Sequence, residues 1–302
     1  MELNWLEDFL ALAEHRNFSR AAEARNVTQP AFSRRIRALE HWVGTPLVVR
    51  SPQGVMLNAA GEALREGAAD LTWNLHQLRR SALRAAGREG VALTIAATHA
   101  LSFTFFPGWL RSFARLEDLG TLNLVSDTMA ACERILLAGD ADFLLCHTCA
   151  GVPTDLAPDG FTSVGVGTDL LVPVSAPDAS GAARWSLPGT PAMPVRLLAY
   201  SGASGLGRIL EAMWRSNRDA LSLDPVFTSP LAATLQTMAR QGQGMAWLPQ
   251  TMVAEDLASG HLVHAGDEGS AIGLEIRLFR PLRRQSRTAA AFWAAVSEGV
   301  AP

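Results

Sequence analysis

The spacing of apolar residues changes character near residue 90, and this change constrains the chain more than any single motif. Up to Ala86 they recur at the three- and four-residue steps of amphipathic helices, whereas from Val91 onward short apolar runs alternate with helical segments. Such patterns belong to different cores, and 302 residues exceed what one ordinary core supports, so a small helical domain followed by a larger α/β domain is expected. Gly87-Arg88-Glu89-Gly90 stands at the change and reads as a hinge.

In the first region Leu3, Leu6, Phe9, Leu10, Leu12 and Ala13 give residues 3–15 one buried stripe. Ser19 is the N-cap expected for a short second helix. Thr28, with Pro30 in the first turn, opens a third helix that runs to about Trp42 and is closed by Gly44. Two helices joined by a tight turn, the second beginning with short polar residues, fit a helix-turn-helix whose second helix enters the major groove of DNA. Gln29 suits an adenine edge, and Arg34 or Arg37 a guanine or a phosphate. Thr28, Pro30 and Ser33 complete that surface, with Ser19 and Arg20 beside it; a capped, solvated surface helix is the bland alternative. Leu47–Arg50 and Val55–Leu57, around Ser51-Pro52-Gln53-Gly54, read as a two-stranded wing that brings Arg50 and Ser51 to the minor groove or backbone. Asn58 caps a helix from Ala59 to Ala86 whose stripe, Leu64, Leu71, Leu75 and Leu78, needs a partner; a second copy of the helix is the simplest one, with Trp73 a further candidate at the seam.

In the second region Val91–Ala97, Leu122–Ser126 and Phe143–Cys146 read as strands around helices Phe103–Leu116 and Met129–Leu137, a βαβαβ order that implies a parallel sheet. A similar set follows: strands Val195–Tyr200, Pro225–Thr228 and Met245–Leu248 with helices Leu206–Arg215 and Leu231–Gln241. Two α/β lobes are therefore expected. Residues Val172–Trp185 would connect them, and Glu275–Phe279 with the helix Thr288–Val296 would complete one lobe. Ligands in such sheets lie at the carboxyl ends of the strands. Here those ends hold Thr98, His99, Ala100, Leu101 and Ser102, then Asp127 and Thr128, then His147, then Tyr200, Ser201 and Ser204, then Ser229 and Met245. Hydroxyls dominate, which suits a small anion or carboxylate bound by neutral donors; helix capping is the competing use of the same residues.

Charge supports this division. Residues 1–90 carry twelve arginines against ten acids, and the remainder fourteen against nineteen; between Arg16 and Arg37 six arginines face only Glu23, a candidate phosphate-binding surface. Hydrophobic residues at 48% and charged residues at 18% fit a globular chain. No apolar run is long enough for a membrane span and no secretory leader is present, so the cytoplasm is the expected location. Cys132, Cys146 and Cys149 are expected as reduced thiols.

Phe18-Ser19-Arg20-Ala21-Ala22, Val27-Thr28-Gln29-Pro30-Ala31-Phe32-Ser33, Ile36, Leu39-Glu40, Gly44, Pro46-Leu47-Val48, Arg50 and Gly61 together closely resemble the DNA-binding module of LysR-type transcription regulators. The two-lobed remainder is similar to the periplasmic-binding-protein-like effector domain of that family. The resemblance implies a winged helix-turn-helix over 1–58, a dimerising linker helix over 59–87 and an effector-binding domain over 91–302, with lobe I at 91–163 and 268–302 and lobe II at 164–267. It also implies a homodimer or homotetramer on double-stranded operator DNA, often with a T-N11-A core, a small-molecule effector, and RNA polymerase as a partner if the protein activates. Within the family, Ala96–Ser102, Leu198–Ser201 and Gly244–Pro249 look most like the hypochlorite-responsive regulators of enterobacteria.

That likeness keeps switching by methionine or cysteine oxidation as the rival mechanism, although Leu206 and Pro230 stand where sensing methionines are sought. Cys146-His147-Thr148-Cys149 lacks the second ligand pair of a zinc site, so no metal is expected. Gly202–Gly207 lacks the Lys-Ser/Thr of a phosphate-binding loop and is either an edge of a ligand pocket or an ordinary helix start. No hydrolase or protease motif occurs, so neither an enzyme nor a cofactor is expected. A solute-binding protein is the remaining alternative, and the helix-turn-helix argues against it.

Overall fold

The computed structural model describes residues 1–51, 54–86, 91–113, 121–154, 156, 160–215, 221–283 and 285–299. The expected hinge at 87–90, the wing residues Pro52 and Gln53 and the end of the helix expected to reach Leu116 lie outside the described residues. The chain divides into two compact units, Met1–Glu89 with Leu137–Asp140, and Gly90–Leu136 with Ala141–Pro302.

The first unit opens with helices α1 (Leu3–His15), α2 (Phe18–Ala24) and α3 (Gln29–Val43). Their apolar faces meet around Phe9, Phe32, Ile36 and Leu39, all buried. The cap of α2 is Asn17 rather than Ser19: its Oδ1 accepts from the N–H groups of Ser19 and Arg20 at 2.9 and 3.1 Å, so the helix starts before the expected residue. Thr28 occupies the N-cap of α3 without a side-chain bond, and Gly44 ends the helix in the left-handed conformation at φ 86°. Strands β1 (Val48–Ser51) and β2 (Gly54–Leu57) pair antiparallel as the expected wing. Asn58 then caps α4 (Ala59–Ala85) by accepting from Gly61 N–H at 2.9 Å, while its own N–H binds Leu47 O. A Cβ on Gly61 would stand 2.2 Å from Leu47 O, so only glycine lets α4 approach the segment before the wing.

The second unit begins β3 (Val91–Thr98), α5 (His99–Thr104), α6 (Phe106–Phe113), β4 (Thr121–Asp127), α7 (Met129–Leu137) and β5 (Phe143–Thr148). The helix expected from Phe103 begins earlier, at His99, and breaks after Thr104. As expected, β3 lies parallel between β4 and β5. Strand β6 (Phe161–Ser175) follows, then β7 (Val195–Tyr200), α8 (Gly205–Arg215), β8 (Leu223–Ser229), α9 (Ala232–Arg240), β9 (Ala246–Pro249), α10 (Gln250–Ser259), β10 (Val263–His264), a 3-10 turn, β11 (Ile272–Pro281) and α11 (Arg287–Gly299). β7 and β8 are parallel, and Met245 bridges in parallel to Leu197 of β7, the second βαβαβ set.

The lobes join differently from the expectation. β6 and β11 pair antiparallel from Phe161↔Pro281 to Leu171↔Ile272. β11 also borders β5 in lobe I, whereas the far part of β6 carries β9 and β10 in lobe II. The residues expected as connector, from Val172, thus begin inside β6, and the α10 helix was not anticipated. Gly61→Ala is expected to destabilise the first unit by about 2 kcal/mol or more, since backbone must move; chemical denaturation with an unchanged midpoint would contradict the close approach.

Candidate functional site

Two arginines of the cluster are spoken for by acids on α1. Asp8, fully buried, accepts from Arg25 Nε at 2.9 Å and Arg35 Nη1 at 3.2 Å. Glu7 pairs with Arg25 and, at 2.9 Å, with His76 of α4. Burial works against the Arg25 charge, but Asp8 and Glu7 outweigh it and raise its pKa. Arg20, Arg34 and Arg37 are exposed and make no ion pair among the described residues, so they remain for an external anion. Thr28, Gln29, Pro30 and Ser19 are exposed beside them. Ser33 is buried and turns inward, which removes it from the outward set. Arg50 and Ser51 lie in β1, and their side chains are outside the described residues.

The α4 stripe splits. Leu64 packs on the core of the first unit, and Trp73 is buried rather than at an open seam. Leu71, Leu75 and Leu78 are 43%, 38% and 66% exposed.

In the second unit a cavity of about 30 Å³ lies where the strand ends of both lobes meet. Of the expected effector residues it brings together Thr98, His99, Ala100, Thr128, His147, Tyr200 and Ser204. Asp127, expected at a strand end, lines it too, and it adds Met129, Gly205, Leu206, Pro230 and Ala232. Leu101 and Met245 are core residues instead, Ser102 binds His99 O and Ser126 Oγ, and Ser229 Oγ accepts from Leu231 N–H; these and Ser201 lie off the wall. The glycine-rich stretch contributes Gly205, whose Cβ would sit 3.2 Å from Met129 Cβ, so the starts of α7 and α8 are drawn together there. Alternation of strand and helix locates strand ends but not this contact, so Met129 and Ala232 are wall residues the sequence does not mark, whereas Gly205 and Leu206 belong to the stretch expected as a pocket edge or a helix start.

The wall is polar where it is sealed. Thr98 Oγ1, Tyr200 OH and His147 Nε2 are buried without a hydrogen-bond partner. Burial pushes the Tyr200 phenol far up, so it stays protonated with an O–H available to donate. Cys132 is pushed up to about 12, and Cys146 higher, by burial in the lobe I core, which keeps both thiols protonated and sheltered. Cys149 packs against the lobe II core. Among the described residues no group of three potential ligand side chains could hold a metal ion, and no helix is long and apolar enough to cross a membrane.

A winged helix-turn-helix with free arginines, a long helix and a two-lobed α/β unit with a polar cavity define a ligand-responsive DNA-binding regulator. The chain belongs to the LysR family: residues 3–62 match the bacterial regulatory helix-turn-helix protein, lysR family, and residues 85–301 the LysR substrate binding domain. It is 32% identical over 302 residues to the HTH-type transcriptional regulator YjiE of Escherichia coli K12, covering 99% of this chain and 95% of the relative. Among solved structures, DarR of Vibrio fischeri in complex with DNA is 31% identical with a TM-score of 0.57, covering 98% of each chain. Full-length HypT of Salmonella typhimurium, a hypochlorite-specific LysR-type regulator, is 29% identical with a TM-score of 0.58, covering 99% of this chain and 97% of that one. The protein is a LysR-type DNA-binding transcription regulator, not an enzyme.

The two classes of arginine separate by mutation. Arg34→Ala should weaken operator binding by about 1–3 kcal/mol and leave folding unchanged, whereas Arg25→Ala should cost about 1–3 kcal/mol of stability by leaving Asp8 and Glu7 short of donors. Paired gel-shift and denaturation measurements check this, and an Arg34→Ala protein that binds like the parent would remove Arg34 from the interface.

Proposed function

We propose that this regulator binds an interrupted palindrome in double-stranded DNA through Gln29, Arg34 and Arg37, with Thr28, Pro30, Ser19 and Arg20 flanking and Arg50 and Ser51 on the wing. It does so as a homodimer joined along α4 and assembled into a homotetramer, in the cytoplasm, with RNA polymerase as partner where it activates. A small anionic effector enters the cavity and biases one arrangement of the lobes, and that bias alters the spacing of the recognition helices to the extent that the two arrangements bind it unequally. The observation that carries the effector reading is the presence, on residues that line the cavity, of two buried hydroxyls, Thr98 Oγ1 and Tyr200 OH, that no described protein group satisfies. An unsatisfied buried hydroxyl costs about 1–3 kcal/mol, which a ligand oxygen recovers.

A thermal-shift screen of small carboxylates and other metabolites on the full-length protein tests this. Thr128→Ala and Tyr200→Phe should each weaken a stabilising compound about tenfold, while Ser102→Ala, off the wall, should leave it unchanged. A compound that stabilises all three variants like the parent places the site elsewhere. For assembly, Leu71→Glu with Leu75→Glu should convert the dimer into folded monomers in sedimentation; a double mutant that sediments like the parent would refute pairing along α4.

A further inference from the structure

Among the described residues the cavity wall holds no arginine, yet it holds a buried base. His147, at the end of β5, is 6% exposed, and its sealed Nε2 lies 3.7 Å from Asp169 Oδ2. Asp169 stands on β6, buried in turn, and its other sites are taken. Leu170 and Thr251 N–H groups donate to Oδ1 at 2.8 and 3.3 Å, and the Thr251 hydroxyl donates to Oδ2 at 2.6 Å. Burial works to raise this carboxyl, but the contacts with His147, Thr251 and Leu170 outweigh it and hold it below the usual carboxylate range. An ionised Asp169 orients the imidazole with Nε2 toward itself, which leaves Nδ1 as the ring atom for a ligand.

The other charged groups around this ring are few. Asp127 and His99 stand on the cavity wall. On β11, Glu275 and Arg277 flank Ile276, the cross-strand partner of His147, and pair with each other at 2.6 Å. One turn into α7, Glu133 pairs with Arg208 of α8 at 2.9 Å. Asp127 Oδ1 accepts from Thr128 N–H at 2.7 Å, so its charge covers the start of α7 and opposes a second negative charge on any ligand. About 30 Å³ admits only two or three water-sized groups.

We infer that the effector is a compact monoanion held by protonated His147 together with the hydroxyls of Thr98 and Tyr200, and that Asp169 and Thr251 are positioning residues that fix the imidazole. This rests on the cavity being the effector site. The selection is by charge and size: a neutral acceptor gains less from the imidazolium than an anion does, and a second negative charge meets Asp127. Because α10 supplies Thr251 and β5 supplies His147, the group that reads the ligand is tied to both lobes through the strand that crosses between them.

The test is calorimetric titration of the full-length protein with sodium formate and sodium acetate at pH 6 and pH 8 and constant ionic strength, with sulfate as the dianion. Affinity should fall from pH 6 to pH 8, by at most about tenfold per pH unit for one linked proton. His147→Gln should abolish that dependence, Tyr200→Phe should weaken binding at both pH values while keeping it, and sulfate should not compete. Thr251→Val should shift the pH midpoint of the His147 imidazole resonance, which a purely structural threonine would not. The inference is overturned if formate and acetate bind independently of pH, if the dependence survives His147→Gln, if sulfate binds as well, or if neither anion binds at either pH. In that last case a neutral compound that stabilises the parent but not Tyr200→Phe would leave the cavity itself standing as the effector site. Binding that needs His147 but ignores both Tyr200→Phe and Thr98→Val would instead overturn the cavity reading.

Discussion

Backbone hydrogen bonding between β6 and β11 sets the geometry of the effector unit. The register runs from one lobe into the other with a single irregularity, between Ile276 and Arg277. A continuous antiparallel pair resists stretching and tolerates twist, so lobes built on it can rotate without separating. The parallel strands β3, β4 and β5 hang on one side of this pair through β11, and β9 and β10 hang on the far part of β6. Packing holds β6 close to lobe I: a Cβ on Gly167 would stand 2.9 Å from the Phe105 ring, so the strand has no room for a side chain there. Two residues further on, Asp169 already bonds to Thr251 of lobe II. The crossing is therefore short, and the cavity lies beside it.

Most of this was readable in the sequence, for a physical reason that also explains the misses. Strands such as Val195–Tyr200 and helices such as Met129–Leu137 appear at their expected limits because apolar periodicity and local propensity agree in them. β6 begins Phe161-Thr162-Ser163-Val164-Gly165-Val166-Gly167, where glycines and small polar residues weaken any strand pattern; its pairing with β11 comes from contacts more than a hundred residues away, to which local reading is blind. The α2 cap shows a finer limit. Both Asn17 and Ser19 are good caps by type, and only the backbone trajectory after Arg16, left-handed at φ 50°, selects Asn17. At the cavity, strand ends located the wall, whereas the choice between Ser102, which bonds to its neighbours, and Tyr200, which does not, depends on side-chain direction.

The arginine cluster carries a similar lesson about charge. Read linearly, Arg16 to Arg37 faces only Glu23; in space Glu7 and Asp8, more than two turns before Arg16, neutralise two of the six. A carboxylate as buried as Asp8 is stable only with its donors in place, so Arg25 and Arg35 fasten α2 and α3 to α1 and hold the recognition helix at a fixed angle. The free arginines then work as a rigid set. On the proposed DNA contact of Arg34, fold and recognition would use the same residue type on neighbouring positions, Arg34 outward and Arg35 toward Asp8, a separation that helical geometry imposes at 100° per residue.

Helix α4 links that surface to assembly. At 27 residues it is about 40 Å long. Its first half is held by the domain it follows, through Leu64 and Ala68, and its second half is tied back by His76 to Glu7. Beyond Trp73 the leucines at 75 and 78 face outward, and a helical segment with an exposed apolar face gains little from propensity alone. Its stability in solution has to come from another surface. A second α4 offers the same leucines at the same spacing, so pairing would bury both faces and at the same time fix the separation of two DNA-binding units. Because His76 lies within this outer half and is tied to α1, a change in how two paired α4 helices crossed would be transmitted directly to the helix on which Asp8 anchors α3.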